Sequence, residues 1–564
     1  MASEFDMIIN PLTENYDRER DRGNKGQKQK YLNEEDVFNR VGALGLFQLV
    51  ALPMTFISFV FEGYILYPLA YVALMPDYIC VGSNGDSFHC SNSDTCEPKY
   101  NTPSFDGNMP GYYVNYANQT SLINWVEPLG LRCAADWQVG FLGASYFIGN
   151  VVGSSTLSKY GDTFGRIKLI RLGFTISIVL YAAMIYLMNY KLIVYLLLFL
   201  LGFLSCIRLN FSFIYGSEII KTTHATVICS FYNFFDGFTM VQASIYFKFI
   251  SKDWFYLYWY FLSICMIGTL ISFFMPESPR YLISIGDFKR ARESFEFISK
   301  MNGKKPLDPQ LERFVEELEY KSKKPQHQHH DHIWGTENQN YNQDDLNDLT
   351  TISSKSDFWS LFTIKMYVIN IIMMNIAWSA SSFTYYMVGF YIKYIPGDIF
   401  QNVMISSLSE SIACLISGFL ALLLGTKNTL IMCFLIGGTF GLALAFVDPH
   451  YETTILLCLL LTKFGVSSSL SLCFLVTSEY FPIIYSATVF GACNIFARVI
   501  SIFAPLIAEI NPPLPMIIYG VFCFMSVLGT SFLSKDKRAG QAIDDALYQA
   551  SPLNRNTGRN TDKR

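Results

Sequence analysis

The stretch Asp162-Thr163-Phe164-Gly165-Arg166 lies between two long apolar runs, at roughly 137–157 and 167–188. A turn this short and charged, set between segments of that composition, belongs to a chain that leaves a bilayer and turns straight back. A helix that crosses the hydrocarbon core needs about 20 apolar residues. Twelve windows reach or approach that length: roughly 43–72, 137–157, 167–188, 192–214, 225–250, 255–275, 364–391, 402–424, 429–447, 454–478, 487–508 and 514–533. Only 16% of residues are charged, against about 25% in soluble domains. The expectation is an all-α polytopic membrane protein with twelve transmembrane helices.

Charge orients the chain. Lys159, Arg166, Lys168 and Arg171 surround the turn, Arg280, Lys289, Arg290 and Arg292 follow the sixth window, and Lys535, Lys537 and Arg538 follow the twelfth. The positive-inside tendency sets all three on the cytoplasmic side, with both termini there too. The formal net charge is -4, and no basic cluster interleaved with aromatics occurs, so a nucleic-acid partner is not expected. No cleavable leader is visible near Met1, and the first window serves as the insertion signal.

Two polar segments interrupt the rhythm. Residues 73–136 hold Cys80, Cys90, Cys96 and Cys133 and an Asn-Gln-Thr acceptor at Asn118. The topology places them outside, where disulfides persist and glycans are added. Four cysteines allow three pairings, which the sequence leaves open. Residues 276–363 open with Pro-Glu-Ser-Pro-Arg, carry helical patterns over 287–300 and 309–320, and end in a tract with His327, His329, His330 and His332. That tract lacks a frame to fix ligand geometry and reads as a cytosolic linker; no metal or other cofactor is expected. The domain plan is a cytosolic tail (1–42), a six-helix bundle (43–275), the linker (276–363), a second six-helix bundle (364–533) and a cytosolic tail (534–564). Paired halves of this kind build secondary transporters, with substrate held near the midplane. No phosphate-cradling loop or His-Glu-x-x-His occurs, so an enzyme is not expected.

Charge within a span is costly and marks a cavity, a pairing or a coupling site. Glu62, Arg208, Asp236, Lys463 and Arg498 are such residues. A guanidinium cannot shed its proton, so Arg498 must face a cavity or an acid, Glu479 or Glu410 being the acids at hand. Glu62 and Asp236 are candidates to take a coupling proton or a cationic group. Phe234, Phe235, Phe238, Tyr385, Tyr386 and Tyr391 offer a wall for a flat organic body.

With these pieces in order, the chain resembles the major facilitator superfamily, and within it the organic cation, anion and zwitterion transporter family. The likeness rests on the cysteine-bearing loop ending at Trp125 to Trp137, on Asp162, Phe164, Gly165 and Arg166, and on Glu218. It rests also on Pro276 to Arg280 and on Ser478-Glu479-Tyr480-Phe481-Pro482 with Ala497-Arg498 and Ser501 to Pro505. The resemblance implies two six-helix bundles that rock about a central cavity. It implies a gate of Asp162, Gly165, Arg166, Glu218, Glu277, Arg280 and Glu479, and a substrate site of Arg498, Phe234, Phe238, Gln242, Tyr385 and Tyr386. Cation carriers of the family tend to place Asp at the Arg498 position, so the substrate implied is a small organic anion or zwitterion, with a coupling proton or counter-ion as a further partner. The bilayer that houses it is the plasma membrane or an endomembrane vesicle. Ser158, Thr222 to Ala225, Gly425 to Lys427 and Ser486 depart from the family pattern, which implies altered gating or, as the alternative, a member that no longer transports. A sugar or polyol carrier would want amides beyond Gln242, Asn370 and Asn375. A ligand sensor signalling through 276–363 is the alternative outside transport.

Overall fold

The computed structural model describes residues 34–42, 44–82, 86–91, 93–103, 111–157, 160, 164–304, 365–481 and 483–534. Helix α1 (Glu34–Val41) precedes α2 (Leu46–Leu66), which a short α3 (Leu69–Val72) extends. After the polar loop come α4 (Asp136–Leu157), α5 (Arg166–Tyr186), α6 (Lys191–Glu218), α7 (Thr222–Ile245) and α8 (Trp254–Phe274). Two shorter helices follow, α9 (Pro279–Ser284) and α10 (Phe288–Met301). The second half holds α11 (Lys365–Tyr391), α12 (Ile399–Leu424), α13 (Thr426–Leu444), α14 (Glu452–Tyr480), α15 (Ile483–Ser501), α16 (Phe503–Ala508) and α17 (Leu514–Ser531).

Every one of the twelve windows coincides with a helix, but not all are equally apolar. Among the described residues nine helices are long and apolar enough to cross a membrane, and the bent pair within Ile399–Leu424 makes ten. The two that fall short, α4 and α7, have physical reasons. Helix α4 is rich in glycine, serine and Asn150 because it meets α6 backbone to backbone. A Cβ on Gly149 would lie 1.9 Å from the Phe199 carbonyl oxygen, and one on Gly202 would lie 2.0 Å from that of Tyr146. Small residues let helices approach this closely in lipid, where no hydrophobic force drives them together. Asn150 fits the same seam, donating to Ser205 at 2.6 Å. Helix α7 is less apolar because it carries Asp236 and Gln242 into the protein.

The all-α expectation needs one correction. The polar loop holds three short strands, β1 (Tyr78–Val81), β2 (Ser87–Cys90) and β3 (Gly111–Val114), in one antiparallel sheet ordered β2-β1-β3. The alternating apolar residues are too few to announce a sheet, and one crosslink, Cys80–Cys90, ties β1 to β2. Of the three pairings, the structure has Cys80–Cys90 and Cys96–Cys133. Glu127 accepts hydrogen bonds from Tyr78 at 2.8 Å and Tyr112 at 2.9 Å, and the Arg132 guanidinium covers the Tyr112 ring at 3.7 Å. Burial, and then the Glu127 charge, push the Tyr78 phenol up from its usual range. The loop is seated on the bundle by Trp125, fully buried against Trp254 and Tyr258, and by Lys252, which donates to the carbonyls of Tyr116 and Asn118 at 2.7 Å each.

The two halves meet on the side that bears this loop. The α4 residues Gly140 and Gly143 press on Pro505 and Leu506 of α16 and on Phe390 of α11. Ser244 of α7 donates to the Phe400 carbonyl of α12 at 2.8 Å, and just beyond them Lys248 pairs with Asp398 at 2.6 Å. The Tyr71 ring stacks on Phe400 with centroids 5.8 Å apart, while Lys393 reaches both Glu509 at 2.8 Å and the Ala73 carbonyl at 3.4 Å. The bundle is therefore closed at the loop end.

The two disulfides differ in the length of chain they close, with separations of 10 and 37 residues. On the chain-entropy account they constrain the unfolded loop by about 3 and about 4 kcal/mol respectively. Replacing Cys96 and Cys133 together with serine is expected to make the loop protease-sensitive and to lower surface delivery more than the Cys80–Cys90 double replacement does. Limited proteolysis and surface biotinylation check the order.

Candidate functional site

The interior charges form two groups. In the first, Arg208 of α6 is wholly buried, with its guanidinium over the Phe61 ring at 4.3 Å and one contact to the Leu201 carbonyl at 3.4 Å. Its remaining nitrogens, Nε and Nη1, have no hydrogen-bond partner among the described residues. Glu62 of α2 lies within electrostatic range of both Arg208 and Arg498. One buried acid thus faces two arginines, Arg498 and Arg208.

The second group joins the halves. Lys463 of α14 pairs with Glu410 of α12 at 3.3 Å, and its ammonium sits 3.8 Å above the Tyr385 ring. The Tyr385 hydroxyl donates to Glu410 Oε1 at 2.5 Å. The same hydroxyl oxygen lies 2.8 Å from that of Tyr67, at the end of α2, which in turn lies 2.6 Å from Asp236 Oδ2 of α7. A continuous string of polar atoms therefore runs from the amino-terminal half into the carboxy-terminal half.

Arg498, on α15, stands apart from both acids named for it. Its Nε donates to Asn494 Oδ1 at 2.9 Å, one turn earlier on the same helix, and the side chain is half-buried. Glu410 is taken by Lys463, and Glu479 accepts from Thr426 at the far end of the bundle. The helix-locking pair with Glu479 or Glu410 is therefore replaced by a contact that orients the guanidinium and leaves its two terminal nitrogens unengaged among the described residues. Tyr386 and Tyr146, with Glu62, lie within electrostatic range of it. Tyr386 meets Tyr385 edge-on at 5.1 Å and Phe147 at 4.6 Å, so an aromatic wall does stand beside these charges.

Phe234 and Phe238 are not in that wall. Each is two residues from Asp236, which on a helix sets them about 160° from it. They stack on each other with rings 6.1 Å apart and remain about two-fifths exposed, on the opposite face of α7. Gln242 accepts from Tyr260 at 3.4 Å. Tyr67 was invisible to sequence reasoning because a tyrosine at the end of an apolar run is indistinguishable from an interfacial anchor.

At the end opposite the polar loop, Glu277 organises a second site. Its Oε1 accepts from the backbone nitrogens of Arg166 at 3.0 Å and Ile167 at 3.1 Å, the first residues of α5. A carboxylate there meets both the unpaired amides and the positive end of the helix dipole. Gly165, at φ +95°, admits this approach, since a Cβ would fall 2.3 Å from Glu277 Oε2. The Arg166 side chain pairs with Glu218 at 3.3 Å and lies over the Tyr281 ring at 4.2 Å. Arg280 donates to the Ser217 carbonyl at 3.3 Å and covers Phe38 at 4.7 Å. Gly165, Arg166, Glu218, Glu277 and Arg280 are thus brought together as one cluster, with Glu479 apart in the other half. Asp162 lies outside the described residues. The loop residues are as separate from this cluster as the fold allows, and Asn118 is exposed in a turn with Thr120.

Three comparisons bear on this arrangement. The sequence profile of the Major Facilitator Superfamily matches residues 110–505. Organic cation/carnitine transporter 2 of Homo sapiens is 25% identical over 447 residues, covering 77% of this chain and 73% of that protein. Organic anion transporter 3 of Mus musculus is 25% identical over 532 residues, covering 88% and 90% respectively. Among solved structures, a partially occluded inward open conformation of the xylose transporter XylE from E. coli superposes with a TM-score of 0.56. It shares 14% identity and covers 87% of this chain and 98% of that one. At that identity the likeness is one of fold.

Because Glu277 caps α5, neutralising it should weaken the whole cluster. Glu277→Gln is expected to lower stability by roughly 1.5–3 kcal/mol, the worth of charge-assisted hydrogen bonds, and to slow exchange while equilibrium binding of ligand stays within a few-fold. Thermal unfolding followed by intrinsic fluorescence, with binding measured on the same preparation, checks both halves of the expectation.

Proposed function

The chain belongs to the Major Facilitator Superfamily, and on that premise we propose that its twelve helices form two six-helix bundles carrying small organic anions by alternating access. It is a multi-pass membrane protein and a secondary transporter of small organic ions, with the plasma membrane as its site. The disulfides and the Asn118 acceptor support an extracellular loop. The end closed by Lys248–Asp398 and Gly140–Pro505 is then the outer one, and the arrangement faces inward.

The observation that carries the anion preference is the guanidinium of Arg498, aimed by Asn494 and without an ion pair or another hydrogen bond among the described residues. Of the interior cations, Lys463 is spent on Glu410, and Arg208 is wholly buried within its bundle. Arg498 alone of these three is half-exposed, so a carboxylate or sulfonate entering between the halves meets it first. The low dielectric magnifies that attraction, and a planar fork suits a carboxylate better than a point charge does. Tyr385 and Tyr386 supply the aromatic surface for the organic body. Of the relatives named above, one is titled for organic anions and one for organic cations and carnitine.

A sugar carrier is poorly supported. Asn370 is committed to the backbone of Ser534 through both its amide atoms, and the Asn375 amide nitrogen donates to Ile371 of its own helix. The reading of a sensor gains no support, since α10 is fastened to α1 and α2 by Phe295 against Phe38 and by Asn302.

Arg498→Ala should lose roughly 1.5–3 kcal/mol of interaction with an anionic ligand, about ten- to a hundredfold in affinity. Arg498→Lys should fall between, and Arg498→Asp should exclude anions altogether. Uptake of labelled aryl carboxylates into proteoliposomes tests the series. Normal anion uptake by well-folded Arg498→Ala would contradict the assignment.

A further inference from the structure

The string that joins the halves has more contacts than its tyrosines have hydrogens. Three oxygen–oxygen contacts lie in series: Asp236 to Tyr67 at 2.6 Å, Tyr67 to Tyr385 at 2.8 Å, and Tyr385 to Glu410 at 2.5 Å. Each needs one hydrogen between its oxygens, and two phenols supply two. With both carboxyl groups ionised, one contact sets lone pairs against lone pairs at hydrogen-bonding distance, away from bulk water. The third hydrogen therefore sits on a carboxyl group. Glu410 is held as a carboxylate by Lys463 at 3.3 Å, whereas Asp236 makes no ion pair among the described residues.

We propose that Asp236 is a proton-binding site, and that its proton completes the hydrogen-bonded link between the two halves of the transporter. In this form Asp236 donates to Tyr67, Tyr67 donates to Tyr385, and Tyr385 donates to Glu410, which Lys463 anchors. Loss of the proton to water leaves Tyr67 with a single hydrogen to offer, to Asp236 or to Tyr385. The contact between the halves is then the one given up, because the ionised Asp236 is the stronger acceptor. Protonation thus favours the arrangement closed at the outer end, and deprotonation frees the halves to part.

The groups that face Asp236 are Glu62, Tyr64 and Tyr67 from α2, Tyr385 and Tyr386 from α11, Glu410 and Cys414 from α12, and Lys463 from α14. Glu62 is the one other acid among them without an ion pair, and it lies beside Arg208 and Arg498 rather than in the string. The charge count links proton to substrate. With Glu410 set against Lys463 and the single acid Glu62 facing both Arg498 and Arg208, a neutral Asp236 leaves one positive charge unmatched in this group, and an ionised Asp236 restores balance. A bound organic anion is thus favoured while the proton is present, so anion and proton enter together and leave together. That consequence rests on the transport reading; the proton site itself does not.

The test uses the ligand-free protein in liposomes, with spin labels at the exposed positions Asn189 and His450, one on each half at the loop end. Moving from mildly acidic to mildly alkaline buffer should shift the closed population toward longer distances, by up to about tenfold per pH unit for one linked proton. Asp236→Asn keeps a donor toward Tyr67 and should stay closed in both buffers. Tyr67→Phe lacks the link and should respond in neither, and Glu62→Gln should respond as the wild type does. A wild-type distribution indifferent to pH, or a response that survives in Asp236→Asn and vanishes in Glu62→Gln, overturns the proposal. Should the distances behave as stated while no organic anion is transported, the substrate reading fails and the proton site stands.

Discussion

An ionised side chain in a low-dielectric interior must be matched or must face a polar opening, and this constraint shapes the centre of the molecule. Three acids, Glu62, Asp236 and Glu410, and three bases, Arg208, Lys463 and Arg498, are drawn from six different helices. Glu410 and Lys463 satisfy each other within the carboxy-terminal half. Glu62 faces two arginines, Arg498 first and Arg208 second, with an ion pair to neither among the described residues. Asp236 and Arg498 are where function can enter, because among the described residues Asp236 has no ion pair and Arg498 is only part-buried. Glycine seams such as Gly149 on Phe199 serve this arrangement by bringing backbones close enough to hold the charges in place.

The two ends of the bundle are built on different chemistry, and that difference is what allows one to open while the other stays shut. At the loop end the halves touch each other through Lys248–Asp398, Ser244–Phe400 and the Gly140–Pro505 approach. At the opposite end Arg166 pairs with Glu218, Glu277 accepts from the Arg166 backbone nitrogen, and Arg280 donates to the Ser217 carbonyl, all within the amino-terminal half. The second cluster therefore stiffens one rocking body. Helix α10 belongs to the same body, with Asn302 donating to Val41 and accepting from Phe47.

Much of the helical plan was legible because apolar length is a one-dimensional property. The windows near 43–72, 192–214 and 514–533 correspond to helices at Leu46–Val72, Lys191–Glu218 and Leu514–Ser531. The sheet in the loop was not legible, since its strands are four residues each and the Cys80–Cys90 bridge between two of them is a pairing that sequence leaves open. Charged site residues announced themselves, as Arg498, Asp236 and Lys463 did, because charge in a span is rare. Which charge meets which was hidden, for partners lie as far apart in sequence as Tyr67 and Tyr385. The aromatic wall was half legible. Tyr385 and Tyr386 stand beside the charges, while Phe234 and Phe238 belong to the other face of their helix, a distinction that depends on which face of α7 the neighbouring helices cover.

The central claim is that a cationic fork between two rocking halves selects the charge of the cargo. The most direct measurement is competition in wild-type proteoliposomes among three aromatic ligands of one shape, bearing a carboxylate, a neutral amide and a quaternary ammonium. The account predicts that the carboxylate inhibits exchange of a labelled aryl carboxylate at concentrations about ten- to a hundredfold below the amide, with the ammonium weakest of the three. Equal potency for all three, or preference for the ammonium, would contradict it.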